Sequence, residues 1–452
     1  THKPPSAMLR SLVGSEMCIR DRVIIHMKKN SLQIDRKLIA RKRAETRLKI
    51  YGIISISIAL IMLSTLIISI GLSGYSALQQ AYVKLDIIIE GEKITDENGM
   101  FSSKKALLFN WDGAVSKALL KEFPSVKKRS DKKSLRSLMS SNAGFELREY
   151  FQQNPQDFDK KITLWLTASD DFDQYLKGRF NVEVLEKDRR LNDSQLQWID
   201  FLSENRIADL KFNTSFFTNA DSREPESAGI LGAVVGSSLT LIITVLFALP
   251  LAVMASIYLE YFAKPGRLTD FIEVNINNLA AIPSIVFGLL GLSIFLSLFG
   301  LPRSAPLVGG LCLGLMTIPT IIIATRASIR AVPPSIKDAA LGLGASKMQA
   351  ALHHVIPLAA PGILTGTIIG MAQALGETAP LLMIGMVAFI IETPNSFTSA
   401  ATAMPVQIFM WSDSAERAFY ERSSLAILFL VGFLIAMNSL AVILRRKFEK
   451  KW

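Results

Sequence analysis

SIKDAALGLGASKMQAALHHVIP, residues 335–357, is a polar-edged insert between two strongly apolar segments, and its spacing predicts two short helices joined by a glycine turn. Pro333 and Pro334 stop the preceding segment from running on as one helix, and Ser335 with Asp338 three residues later resembles a capping box for a new start. Gly342 and Gly344 permit a tight reversal, because a residue without Cβ enters the left-handed region freely. Ser346 with Gln349 offers a second and better capping box, and Pro357 is expected to end the second helix. A helix-turn-helix of this size at the mouth of a membrane bundle is suited to transmitting a push, since short helices can seat in a groove on another protein. The plain alternative is an ordinary re-entrant or surface helix pair.

The segments around this insert set the class of the molecule. The chain has 452 residues, half of them hydrophobic, and carries apolar runs that a soluble core does not need. It is therefore expected to be a membrane protein, with lipid as its surroundings. A net charge of +11 can indicate nucleic acid, but the basic residues sit at membrane flanks and not on a periodic face interleaved with aromatics, so no nucleic-acid partner is expected. Two cysteines, Cys18 and Cys312, support neither a disulfide framework nor a thiolate metal site. His353 and His354 are adjacent, which points their rings apart on a helix instead of pairing them at i and i+4.

Taken in order, residues 9–22 (LRSLVGSEMCIRDR) resemble a translated sequencing-library adapter more than a targeting peptide, and 1–26 is expected to be a non-native or disordered leader with Met27 as the native start. Residues 27–83 form a basic segment and a first apolar span at about 51–72. The flanking Lys and Arg place the N-terminus inside. Residues 84–226 are mixed in charge and long enough for an independent core, expected as a mixed α/β domain outside the membrane. Within it, 132–153 and 192–202 read as helices and 162–166 as a strand. Asp170, Asp171 and Asp173 lack the glycine and distal glutamate of a calcium loop and are expected to be a solvated turn. In 227–452, spans are expected at about 230–258, 276–298, 307–327, 362–390 and 425–444, ending in a basic tail that includes Lys450 and Lys451. The fold class is thus an all-α polytopic bundle of six spans with both termini inside, plus the mixed domain between the first two.

Glu377, in ALGETAPLL (374–382), is expected in the middle of an apolar span, where an acidic group costs on the order of 3 kcal/mol unless it faces a cavity or a partner. It is either a gate or pathway residue or half of a buried ion pair. Arg326 and Arg330 lie at the inner end of the fourth span, roughly 20 Å below Glu377 along the helix rise, so a direct pair within one chain is not expected. Arg326 either contacts an anion or snorkels to headgroups. Gly366 and Gly370 make a small-xxx-small face, and Pro319 and Pro380 can kink the fourth and fifth spans.

Asp338, Ala339 and Ala340, then Gly344, then Ile356 and Pro357 resemble the cytoplasmic EAA loop of ABC-importer permeases, with Asp338 for the glutamate, His354 for the isoleucine and Ile356 for the leucine. Together with EVNINNLAAIPSIVFGLLGL (273–292), PRSAPLVGG (302–310) and GETAPLLMIGMVAF (376–389), the chain from about 228 resembles phosphate permeases of the PstA type. Residues 212–230 resemble the end of an extra domain that some members insert after the first helix. The resemblance implies a type I ABC-importer fold in a bacterial inner membrane. Its implied partners are a PstC-like permease, a cytoplasmic ATPase dimer, an external phosphate-binding protein and inorganic phosphate. Ser335, Asp338, Ala339, Ala340, Gly344 and Pro357 would contact the ATPase, and Glu377 would match an important membrane carboxylate. Relatives often carry an arginine at the position of Gln373, which would put that residue beside the pathway with Arg326 and Arg330. The chain has no G-x-x-x-x-G-K-[ST] loop, so it is expected to be no enzyme, with ATP and Mg bound by the partner ATPase. A permease for molybdate or sulfate, and a membrane-anchored sensor, are the competing readings.

Overall fold

The computed structural model of the chain describes residues 5–95, 101–386 and 389–448. These fall into two units, Thr1–Ser69 and Ile70–Trp452. The first consists of helix α1 (Pro5–Gly74) up to its last turns. The leader expected at 1–26 is therefore helical from Pro5 onward. Every residue from 38 to 69 is exposed, and Leu38–Leu78 is apolar enough to cross a bilayer. A helix that is apolar on every face, as this one is from Ile50 onward, needs lipid as its solvent.

The second unit begins with a 3₁₀ turn at Tyr75–Leu78 and strand β1 (Gln79–Ile87), which starts ahead of the expected boundary at 84. Ala81, Val83, Leu85 and Ile87 all point inward, the period-2 signature of a half-buried strand. Helices α2 (Ser103–Leu108), α3 (Trp111–Glu122), α4 (Arg129–Arg136) and α5 (Ala143–Gln153) follow. The expected helix at 132–153 is thus two. Between them Ser140 N–H donates to Thr167 O at 3.1 Å, and the Ser140 hydroxyl accepts from Asn142 N–H, diverting backbone groups from a continuous helix. Strand β2 (Ile162–Thr167), helices α6 (Asp170–Leu176) and α7 (Asp193–Glu204), strand β3 (Ala208–Phe212) and helix α8 (Ser215–Thr218) complete the segment. The sheet is antiparallel in the order β2-β1-β3, with Tyr82 opposite Thr167 on one side and Asp209 on the other. Phe151, Phe172, Leu147 and Ile199 close its inner face. Helix α7 starts where the sequence predicts it, on a complete capping box between Asn192 and Gln195.

The remainder is helical. Helix α9 (Leu231–Ile257) runs into a π turn at Tyr258–Phe262 and is followed by α10 (Arg267–Ala280) and α11 (Ser284–Gly291), the latter extended by a π segment to Leu298. The expected span at 276–298 is broken here. Its two halves bend by 100°, because Pro283 bars the preceding residues from helical geometry. Helix α12 (Pro306–Arg330) is central, with α9 on one side and α15 (Ile356–Gly376) on the other. Added β-carbons on Gly366 and Gly362 would collide with Ala324 and Ser328 of α12, so these glycines let α15 lie close. Thr244 Oγ1 donates to Gly310 O at 3.2 Å, and Ser256 Oγ to Ile322 O at 3.3 Å, tying α9 to α12. Helices α13 (Pro334–Gly342) and α14 (Lys347–Gln349) precede α15, and α16 (Ala379–Met383), α17 (Met404–Ser412) and α18 (Arg417–Phe448) follow it. Among the described residues five helices are long and apolar enough to span a membrane, or six if the bent pair counts as one span. Val387 and Ala388 of the expected fifth span, and Lys450 and Lys451, lie outside the described residues.

The sheet segment is fastened to α17 and α18. Arg422, buried at the start of α18, donates to Ala228 O at 2.6 Å and to Gln80 Oε1 at 2.8 Å. Asp173 accepts from Ala81 N–H at 2.7 Å and pairs with Lys177 at 2.5 Å, and Lys177 reaches Glu421 at 3.5 Å. Trp411 Nε1 donates to Asp221 at 3.0 Å. Asp170, Asp171 and Asp173 are therefore not a solvated turn. They form the first turn of α6, where carboxylates favour the helix N-terminus, and Asp173 is buried.

Candidate functional site

The 335–357 insert forms the expected helix pair, with a different start. Helix α13 begins at Pro334 with Pro333 as its cap residue, so Ser335 lies inside the first turn and makes no capping bond. Proline at the first helical positions costs no hydrogen bond and brings the required φ. The turn is a Schellman motif: Gly344 N–H donates to Leu341 O at 3.0 Å and Ala345 N–H to Ala340 O at 3.0 Å. Gly344 sits at φ +89°, the conformation that demands glycine, whereas Gly342 is an ordinary last helical residue. The Ser346–Gln349 capping box is present in both directions, at 3.2 and 2.9 Å.

Pro357 does not end the second helix. Residues Ala350–Val355 widen into a π turn, Ile356 N–H reaches back to Ala351 O, and the next position that would need a donor is Pro357, which has none. The helix continues to Gly376, so Lys347–Gly376 is one candidate span. The insert is thereby coupled directly to the span that leads to Glu377. Ala340, Ala350, Ala351 and Val355 are buried and hold the pair against its neighbours, and Lys337 Nζ lies 5.0 Å from the centre of the Tyr261 ring. Ser335, Asp338, Ala339, Gly344 and Pro357 are exposed, and Leu343 projects from the turn with 91% of its surface free.

Glu377 is not in the middle of a helix. It is the C-cap of α15 in extended conformation (ψ 122°), followed by Thr378 and the short α16, whose opening Pro380 prevents α15 from running on. The carboxylate is half-buried and makes no ion pair or side-chain hydrogen bond among the described residues. The break is held in place by α16, which packs on α11: a β-carbon on Gly288 would stand 2.8 Å from Pro380 Cα. Gln373, one turn earlier, is exposed.

Arg326 and Arg330 are brought together, away from Glu377. Arg326 Nε meets Glu260 Oε1 at 2.7 Å and its Nη2 meets Glu273 Oε1 at 2.5 Å, while Arg330 Nη2 reaches Glu260 Oε1 at 2.9 Å. This network joins the π turn after α9, helix α10 and the end of α12. Sequence reasoning missed Glu260 and Glu273, which lie 66 and 53 residues from Arg326. Their position at the end of an apolar run was the available signal.

At the sheet junction, burial and the nearby carboxylates of Asp171, Glu226 and Glu416 push Asp170 up to about 7. Burial, partly offset by a hydrogen bond with Ser140, pushes Glu226 up to about 7 as well.

Residues 227–452 match the family described as binding-protein-dependent transport system inner membrane component, and residues 35–186 match a domain of unknown function, DUF3333. The chain is 35% identical over 179 residues to the probable ABC transporter permease protein YqgI of Bacillus subtilis (strain 168), covering 39% of this chain and 60% of that protein. It is 28% identical over 222 residues to the phosphate transport system permease protein PstA 1 of Mycobacterium tuberculosis (strain CDC 1551 / Oshkosh), covering 49% and 72%. To the phosphate transport system permease protein PstC of Pasteurella multocida (strain Pm70) it is 30% identical over 267 residues, covering 53% and 82%. A solved structure of the MetNI methionine ABC transporter in an inward-facing conformation aligns with 49% of this chain and 98% of that one, at 16% identity and a TM-score of 0.40.

Proposed function

The chain belongs to the family of binding-protein-dependent transport system inner membrane components, and from that premise we propose that it is the permease subunit of an ATP-driven importer whose cargo is inorganic phosphate. PstA-type relatives support the choice of cargo. A PstC-like second permease would complete the pathway, ATPases bearing ATP and Mg would sit against the 335–357 loop in the cytoplasm, and a binding protein would deliver phosphate outside. Both termini would then be cytoplasmic.

The observation that carries this reading is the unbroken path from loop to carboxylate. The second helix of the pair, which follows a turn with Leu343 exposed at its tip, continues through Pro357 to the helix break at Glu377. Displacement of the loop would be passed along this continuous helix to Glu377, where the backbone leaves helical bonding. Irregular backbone at membrane depth is tolerated where it lines a cavity or is buried in protein. Alternating access follows if loop movement tilts α15 and shifts the Glu377 break between outward-open and inward-open states.

The test is ATP-dependent uptake of radiolabelled phosphate into proteoliposomes holding this chain with its neighbouring permease, ATPase and binding protein. Wild-type uptake that falls at least tenfold in Glu377→Gln, with assembly unchanged, is the expected outcome. Uptake of molybdate or sulfate in place of phosphate would overturn the cargo. Unchanged uptake in the variant would remove Glu377 from the pathway.

A further inference from the structure

A cavity of about 240 Å³ opens between residues 170–190 of the sheet segment and residues 415–418 at the start of α18. Gln174, Arg179, Asn181, Arg189, Arg190 and Arg417 bring nitrogen donors to its lining. Two of these donors lack acceptors. Gln174 Nε2 and Arg189 Nε are buried without a hydrogen-bond partner, although the Arg189 side chain is only 6% exposed and its other end is tied to Asp193. Gln174 is 9% exposed. A buried donor without an acceptor is costly, and such groups call for a ligand, an ion or water to explain them. Arg417 is exposed and makes no ion pair among the described residues, so its charge is free to add to the site.

The lining also holds acceptors. Asp170, Asp171 and Glu416 pair loosely with Arg190 at 3.6, 3.7 and 3.6 Å, Arg179 pairs with Glu421 at 3.0 Å, and Asp188 is part of the lining. A site with clustered guanidinium donors and nearby carboxylates suits a group whose oxygens accept from arginine while a neighbouring hydroxyl donates to aspartate. We propose that this cavity binds a phosphate group, carried by the headgroup of an anionic phospholipid or present as the free ion. Guanidinium matches phosphate oxygens in pairs, and the P–OH of the ion or the glycerol hydroxyls of phosphatidylglycerol would meet the aspartates.

The surroundings favour the lipid source. Arg179 donates to Leu72 O at 3.2 Å, at the end of one candidate span, and Arg417 opens another. Beside the cavity Leu72 is 72% exposed, Val182 49% and Leu185 66%, which provides apolar contact next to the charged pocket.

The experiment uses the full chain in its assembled complex, comparing wild type with Arg417→Gln and Arg189→Gln. One arm measures phosphatidylglycerol retained through purification by native mass spectrometry. The other titrates inorganic phosphate calorimetrically into complexes reconstituted without the binding protein in phosphatidylcholine nanodiscs, in the Glu377→Gln background that, on the reading above, weakens the pathway. Retained lipid falling at least fivefold in the variants identifies the headgroup. A phosphate affinity in the Glu377→Gln background that weakens at least tenfold on either arginine substitution identifies the free ion. If wild type binds neither, or both variants match it in both arms, the proposal is overturned. Arg417→Gln keeps the test valid if the buried Arg189 substitution disturbs folding.

Discussion

Gly344 shows how much one residue can decide. At φ +89° it supplies the C′ position of the Schellman motif that reverses α13 into α14, and a β-branched side chain there would be strained by more than about 1 kcal/mol. Because nothing lies within 4 Å of where its β-carbon would stand, the strain is purely conformational. Gly344→Val should therefore insert and assemble normally, yet lose binding-protein stimulation of the ATPase by at least tenfold; full stimulation would show that the loop's shape is irrelevant to coupling. Glu260 carries a different burden, since it neutralises both Arg326 and Arg330. Glu260→Gln should lower stability by about 2 kcal/mol, read as a fall in melting temperature of the purified chain. In a double-mutant cycle with Arg326→Met the double variant should lose less than the sum of the two single losses. The Ser346–Gln349 capping box and Gly344 were legible in the sequence because caps and positive φ are local chemistry. The partners of Arg326 were not, since contact across 53 and 66 residues is set by packing.

Two prolines, Pro357 and Pro361, sit within the 30-residue span Lys347–Gly376, and the sequence alone reads the first as a stop. The π turn at Ala350–Val355 resolves that conflict by moving the hydrogen-bond register ahead of Pro357. Conversely, apolarity predicts continuation through residue 377, and the structure breaks the helix there. Hydropathy reports which residues tolerate lipid, and backbone donors decide where a helix runs. The small-residue face was legible in full at Gly366, which abuts Ala324 so closely that no side chain fits. Gly366→Leu should separate α15 from α12 and destabilise the bundle by about 1–3 kcal/mol. Cysteines at 317 and 370, whose β-carbons would stand 3.6 Å apart, should cross-link more slowly in that background than in the parent chain, and an unchanged rate and melting temperature would mean that the helices repack at no cost.

At the scale of the whole second unit, the sheet segment and the membrane helices meet through charge. Composition marked residues 84–226 as a different kind of sequence, but no pattern in it announces that Asp170, Asp173 and Glu226 face the start of α18. That required β1 to run directly out of the 3₁₀ turn, carrying Gln80 to Arg422 and Ala81 to Asp173. Asp170 and Glu226 both titrate near 7, well above the ordinary carboxylate range, because burial disfavours their charged forms. A carboxyl whose folded value is raised contributes fully below its unfolded value near 4, and its contribution is lost as pH rises through the folded value. For the buried Glu226 the swing is on the order of 3 kcal/mol between those limits. The groups facing Asp170 are Asp171, Glu226, Glu416 and Arg190, and those facing Glu226 are Ser140, Glu224 and Arg422, so ionisation adds negative charge to an acidic neighbourhood. The junction should consequently be tightest near pH 4 and loosen towards pH 7. Protection of β1 and the first turns of α18 from hydrogen exchange, taken relative to the intrinsic rate at each pH, should fall over that interval in wild type, and the dependence should flatten in Asp170→Asn with Glu226→Gln. An exchange profile equally steep in the double variant would assign the pH response to other groups, and a flat wild-type profile would mean that water or lipid already compensates both carboxylates.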